Sequence, residues 1–308
     1  MTDTTLAFVF PGQGSQSVGM IADVAQAHPE VEQTFAEASD ALGFDLWKLV
    51  QEDPNQSLGL TENAQPALLA ASVAIWRIYQ KVGKAQPVIL AGHSLGEWSA
   101  LVCAGVIEFT DAIKLVRLRG QYMQQAVPVG VGTMAAIIGL DDALVEEQCQ
   151  KAAAHGVVET VNYNSPGQLV IAGEVAAVEA AMALCKDAGA KRALPLAVSA
   201  PFHTSMMQPA ADNLAKHIAQ TAFKAPVIPV LHNVGVSTES DPEAIKQRVI
   251  QQIYSAVPWV ASVQTLVEQG VTTVVECGPG KVLSGLNKRI HKSLNCVPLG
   301  SAEAISAQ

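Results

Sequence analysis

Gly92-His93-Ser94-Leu95-Gly96 sets a serine between two glycines, a spacing that points to a nucleophilic hydroxyl. A short apolar run over 88–91, bounded by Pro87, reads as a buried strand, and residues 97–104 read as a helix. Strand, sharp turn and helix make the setting of a G-x-S-x-G nucleophile elbow. Gly92 and Gly96 suit it, because the turn is strained and the helix lies close to the strand, with no room for a Cβ. Ser94 at the apex would hold its hydroxyl clear of the backbone. It would also lie near a helix N-terminus whose free N–H groups favour developing negative charge. The same pentapeptide also describes a plain serine N-cap, and it is the flanking strand and helix that favour the nucleophile.

A serine hydroxyl needs a base beside it. Of the seven histidines, His28, His155, His217, His291 and His232 read as helix, loop or surface residues, and His93 should point away from its neighbour Ser94. His203, in Pro201-Phe202-His203-Thr204, lies in a loop leading into a helix downstream of the elbow, where a serine hydrolase of this architecture carries its base. The position equally suits an ordinary N-terminal helix residue. A triad would place a buried acid behind the ring. Glu276, at the end of a strand, is the best acidic candidate, but the order Ser–His–Glu is not the hydrolase order, and a carbonyl is the alternative partner. Arg119, on the helix after the elbow, is either a surface arginine or a bidentate clamp for a substrate carboxylate. Pro11-Gly12-Gln13-Gly14-Ser15-Gln16 lets a backbone approach a ligand, and it lacks the Walker pattern and lysine of a phosphate loop.

The elements that must position these groups follow from pattern and composition. The 308 residues are 49% hydrophobic and 15% charged, enough for a full core and unlike a disordered chain. A net charge of −9 argues against a general nucleic-acid binder. Five scattered cysteines without C-x-x-C spacing fit a reducing compartment. No basic leader or membrane-length apolar run is seen, so a soluble, cytoplasmic protein is expected, with no membrane partner. Strands at 6–10, 88–91, 227–231, 271–276 and 295–299 are separated by helices, which predicts a mainly parallel, covered sheet. A long helix over 67–81 is opened by Thr61-Glu62-Asn63-Ala64-Gln65-Pro66, with the proline near its first turn. Between them, residues 127–198 read βαββαβ, the ferredoxin-like unit. The expected fold is α/β: a large hydrolase-like domain from 1–126 and 199–308 with a mainly parallel sheet, and an inserted small ferredoxin-like domain over 127–198.

Six segments together resemble the malonyl-CoA:acyl-carrier-protein transacylases of bacterial fatty-acid synthesis, over essentially the whole chain. They are Phe10-Pro11-Gly12-Gln13-Gly14-Ser15-Gln16, Gly92-His93-Ser94-Leu95-Gly96-Glu97, Arg119-Gly120 with Met123, Asn162-Tyr163-Asn164-Ser165-Pro166-Gly167-Gln168, Pro201-Phe202-His203-Thr204 and Glu276-Cys277-Gly278-Pro279-Gly280. The resemblance implies that Ser94 accepts the acyl group and His203 is its base, oriented by a carbonyl of Gln252 rather than an acid, which leaves Glu276 a structural role. It implies an oxyanion hole from the Gln13 and Leu95 amides, and Arg119 on the malonyl carboxylate. Phe202 would leave little space for an α-methyl branch, and Asn162 is a further substrate-binding residue. Malonyl-CoA and acyl carrier protein are the implied partners, with no metal or redox cofactor, and a monomer is expected. Lys288, Arg289 and Lys292 are candidates for receiving an acidic carrier protein. A malonyl loader for a polyketide synthase and an acyl-CoA hydrolase are the alternative readings.

Overall fold

The computed structural model describes residues 2–82, 85–198 and 200–307; Ser199, the expected first residue of the returning large segment, lies outside them, as do Met1 and Gln308 at the expected ends of the large domain. The chain begins with β1 (Thr2–Phe10), α1 (Ala22–Ala27), α2 (Glu30–Leu42), α3 (Leu46–Glu52), α4 (Thr61–Val82), β2 (Gln86–Gly92), α5 (Leu95–Cys103) and α6 (Phe109–Gln125). Next come β3 (Gly132–Ile138), α7 (Asp142–Ala152), β4 (Val158–Ser165), β5 (Gln168–Glu174), α8 (Val175–Asp187) and β6 (Arg192–Pro195). It closes with α9 (Gln208–Ile218), β7 (Val230–Leu231), α10 (Pro242–Gln251), α11 (Trp259–Glu268), β8 (Thr273–Glu276), α12 (Val282–Ile290), β9 (Asn295–Pro298) and α13 (Ala302–Ser306).

Two sheets result. The larger runs β7-β2-β1-β8-β9 with every pairing parallel. Parallel strands need both faces covered, and β1 alternates accordingly. Phe8 and Phe10 join the core that includes α4, α5 and α6, while Ala7 and Val9 face Trp259 and Leu266 of α11 and Leu283 and Leu286 of α12. The smaller sheet runs β4-β5-β3-β6, antiparallel throughout, with α7 and α8 packed on it around Ile137, Val145, Ile171 and Val178. That is the ferredoxin-like order inserted in a hydrolase-like α/β unit.

Two local expectations need correcting, and one short helix is additional to them. The strand expected over 227–231 shrinks to Val230–Leu231, because Pro229 has no ladder donor and the Val227 amide donates instead to the Ala104 carbonyl (2.9 Å). Helix α4 starts at Thr61, so Pro66 lies in its second turn, within the helix. The short α13 was not anticipated: Ser301 caps it through the Ala304 amide, and Ile305 is buried beneath. Among the described residues no helix is long and apolar enough to cross a membrane.

The elbow depends on the closeness of β1, β2 and α5. A Cβ on Gly92 would collide with the backbone of Gly96, and one on Gly96 with the Phe10 carbonyl. Neither neighbour is a movable side chain. Gly96→Ala is therefore expected to cost ~3 kcal/mol of stability, at the upper end of overpacking penalties. Urea unfolding checks it, and an unchanged midpoint would refute the close approach.

Candidate active site

Ser94 stands between β2 and α5 at φ 51°, ψ −107°, a conformation rarely adopted by a side-chain-bearing residue. The strained turn is held by its neighbours. The Ser94 amide donates to Asn233 Oδ1 (3.0 Å), Asn233 Nδ2 donates to the Gly92 carbonyl (2.8 Å), and the Gly96 amide donates to the His93 carbonyl (2.9 Å). His93 turns away from the serine, with Nε2 2.8 Å from Asn164 Oδ1.

His203 comes to the same point from the loop before α9, also at positive φ (65°). Its Nε2 is 2.7 Å from Ser94 Oγ, and its Nδ1 is 3.0 Å from the main-chain carbonyl of Gln252, just past α10. A carbonyl only accepts, so Nδ1 carries the proton and Nε2 presents its lone pair to the Ser94 hydroxyl. Burial, then the nearby Arg119 charge, press the His203 pKa down to about 3, against the pull of the Gln252 carbonyl. The ring is thus neutral at physiological pH.

Glu276 is spent elsewhere. Its two carboxylate oxygens accept the Leu283 (2.9 Å) and Ser284 (2.7 Å) amides at the start of α12. A buried carboxylate on a helix N-terminus has a structural reason to be there.

Arg119 projects from α6 and is 1% exposed. Nη1 donates to Gln65 Oε1 (2.9 Å), and Nη2 donates to both Gln252 Oε1 (3.0 Å) and Ser94 Oγ (3.1 Å). Gly120 makes this possible: a Cβ there would sit 2.7 Å from the Glu62 Cα and the Thr61 carbonyl, so α6 reaches α4 closely enough for Gln65 to meet the guanidinium. Burial lowers the Arg119 pKa to about 10, opposed by the charge of Glu97, so it remains a cation.

These groups border a cavity of about 120 Å³ that Gln13, Leu95, Asn162 and Phe202 also line. Gln13 is fixed by its side chain to Thr61 Oγ1 (3.2 Å), and among the described residues the Gln13 and Leu95 amides have no acceptor in the turns and loops. Asn162 Oδ1 is buried without a partner among those residues. Strand β4, which carries Asn162, is stitched to the chain beyond Gln252: the Tyr163 amide donates to the Val257 carbonyl (3.0 Å) and the Val257 amide to the Val161 carbonyl (2.7 Å). Glu159 accepts the Ser205 amide (3.2 Å), two residues beyond His203. The smaller sheet thus braces both loops behind the serine. Lys288, Arg289 and Lys292 are exposed around the end of α12, where Arg289 donates to Gln168 Oε1 (2.6 Å).

Sequence reasoning missed a second layer. His232, expected to be a helix, loop or surface residue, is fully buried in the loop after β7, with Nδ1 2.7 Å from Glu97 Oε1. Glu97, Asn233 and Gln65 were not singled out. Two signals were available: a charged residue inside the apolar helix Leu95-Gly96-Glu97-Trp98-Ser99-Ala100-Leu101, and polar His232-Asn233 at the carboxyl end of a parallel strand, where sites in open α/β sheets collect.

A family model described as an acyl transferase domain matches residues 7–303. The chain is 56% identical to the malonyl CoA-acyl carrier protein transacylase of Salmonella typhimurium over 304 residues, covering 99% of this chain and 98% of that one. Among solved structures it is similar to an acyl carrier protein S-malonyltransferase from Vibrio cholerae, with TM-score 0.96, 59% identity, and 98% and 99% of the two chains covered. It is equally close in shape to the malonyl-transacylase chain solved with its type II PKS acyl-carrier protein, with TM-score 0.96, 54% identity and 98% of both chains covered.

Proposed function

Because this chain belongs to the acyl transferase family, we propose that it moves malonyl groups from malonyl-CoA to the phosphopantetheine thiol of acyl carrier protein through an ester on Ser94. The observation that carries this reading is the convergence on Ser94 Oγ of a neutral imidazole at 2.7 Å and a buried guanidinium at 3.1 Å. The first makes the hydroxyl a nucleophile; the second expects a carboxylate on the acyl group.

In the first half-reaction Ser94 Oγ attacks the thioester carbonyl as its proton passes to His203 Nε2. The Gln252 carbonyl steadies the imidazolium through Nδ1–H. The oxyanion rests on the Gln13 and Leu95 amides, and one such donor is typically worth ~100–1,000-fold in rate. The C–S bond breaks, CoA sulfur takes the proton from His203, and malonyl-Ser94 remains. In the second half the carrier thiol gives its proton to His203 and attacks the ester. Ser94 Oγ leaves with that proton, and the malonyl thioester of the carrier departs, a ping-pong cycle. Arg119 holds the free carboxylate throughout. Phe202 crowds the position of an α-branch, and the Asn162 oxygen awaits a donor on the substrate.

This chemistry asks for no metal or redox cofactor. A buried cation with donors to spare is wasted on a neutral acyl chain, which weighs against an acyl-CoA hydrolase. We place the activity in the cytoplasm, in a monomer built from the 127–198 insert and the flanking large domain. An acidic carrier would approach the exposed Lys288, Arg289 and Lys292. Intact-mass measurement tests the reading. Mixing with malonyl-CoA is expected to add one malonyl group to the protein and none to Ser94→Ala, and acyl carrier protein bearing its thiol arm should remove it. Release of free malonate equally fast without the carrier would identify a hydrolase instead.

A further inference from the structure

Arg119 poses a problem that its direct contacts do not solve. A buried cation is ordinarily paired with an anion, yet its partners are three neutral oxygens, and its Nε–H has no partner among the described residues. The negative charge lies one residue further away. Glu97, three residues beyond Ser94 on α5, is fully buried, and its carboxylate accepts from Gln252 Nε2 (2.6 Å), the Asn233 amide (3.0 Å) and His232 Nδ1 (2.7 Å). The Gln252 amide therefore stands between the two charges, its nitrogen on Glu97 and its oxygen on Arg119. A carboxylate only accepts and a guanidinium only donates, so this amide has one satisfactory orientation. The arrangement also leaves Glu97 a net anion. His232 Nε2 is buried without a partner among the described residues, and an imidazolium there would bury an unsatisfied N–H.

We propose that Glu97 is the counter-charge of Arg119, relayed by the Gln252 amide, and that it sets how strongly the site prefers an acyl group bearing a carboxylate. The proposal rests on the malonyl reading above. A carboxylate touching Arg119 would occupy the donors a substrate needs, and no carboxylate at all would leave a buried cation without compensation. At one amide's remove, Glu97 keeps the guanidinium charged and in place while its remaining donors stay unspent. The price is that Glu97 repels the incoming carboxylate, so the site binds malonyl groups less tightly than a bare cation would and is able to release them to the carrier. Glu97 acts through Gln252 and is a positioning residue.

Glu97→Gln tests this with shape retained. The introduced oxygen still accepts from Gln252 and Asn233, and the introduced NH2 faces His232 Nδ1, so the ring moves its proton to the unpartnered Nε2, a cost in stability that bears equally on both ligands. Malonyl-CoA and acetyl-CoA binding are measured by calorimetry in a Ser94→Ala background, where no ester forms. Removing one buried charge is expected to tighten malonyl-CoA relative to acetyl-CoA by roughly tenfold. A purely structural role shifts both ligands by the same factor, and that result, or a relative weakening of malonyl-CoA, overturns the proposal. Gln65→Glu is the converse variant and carries the test if the first fails to fold. It sets a carboxylate directly on Arg119 Nη1, and the malonyl-to-acetyl affinity ratio is expected to fall by roughly tenfold. An unchanged ratio counts against the proposal. Failure of the underlying reading looks different, because the wild-type protein would then take up no malonyl ester.

Discussion

Replacing His203 by alanine is expected to slow formation of the malonyl-Ser94 ester by ~10⁴–10⁶-fold with the fold retained, as for the base of other serine nucleophiles. Three observations set the size of the effect. Nε2 lies 2.7 Å from Ser94 Oγ, Nδ1 is fixed by the Gln252 carbonyl, and Arg119, the other group on that oxygen, is a cation that cannot take a proton. Single-turnover intact mass reads the rate, and circular dichroism confirms folding. The depressed pKa of His203 adds a pH signature. With a folded value of about 3 against the ordinary 6.5, the His203 ring stays unprotonated through the usual histidine range. Thus kcat/KM for malonyl-CoA is expected to show no acid limb at 6.5. The stability consequence has the matching sign. Between 6.5 and about 3 the unfolded chain binds a proton that the folded one refuses, so the stability tied to this residue is complete above 6.5 and is lost as pH falls. His203→Ala should remove that part of the acid sensitivity, and urea midpoints measured at pH 7 and pH 5 on both proteins check it.

Most of the fold was legible in the chain because its signals are local. Apolar runs bounded by proline or glycine gave the parallel strands, and βαββαβ gave the inserted sheet. The elbow was legible for a similar reason: its two glycines meet a steric demand that any residue with a Cβ breaks. What joins distant segments was not. The Gln252 side chain contacts Ser94, Glu97, Asn233 and Arg119, three of them more than 130 positions away along the chain, and no periodicity announces such a meeting. His232 was misplaced for a related reason. A lone histidine after a two-residue strand resembles a surface loop until the buried carboxylate that receives it is known. Glu276 shows the converse: an acid at a strand end looked like a triad member, and only the α12 amides show what occupies it. The resemblance to a family supplied the Gln252 carbonyl, which residue types alone left open against an acid.

Arg119→Ala should separate the two jobs of one residue. For malonyl-CoA, kcat/KM is expected to fall by ~100–1,000-fold, the loss of a charge-assisted, bidentate contact in a buried site. Acetyl-CoA has no carboxylate to lose, and for it two changes act in the opposite direction. The Arg119 charge helps depress His203, so its removal strengthens the base, and Nη2 no longer competes for Ser94 Oγ. Acetyl transfer should therefore hold or rise. Arg119→Lys divides charge from geometry, since lysine keeps the cation but cannot fork between Gln65 and Gln252 while holding a carboxylate. It is expected to fall between wild type and alanine for malonyl-CoA. The comparison is made by acyl-enzyme mass with both donors on each protein. Equal losses for malonyl and acetyl groups would show that Arg119 only ties α6 to α4 and to the Gln252 loop. A selective loss would show that the charge held beside the serine is what the acyl group is chosen for.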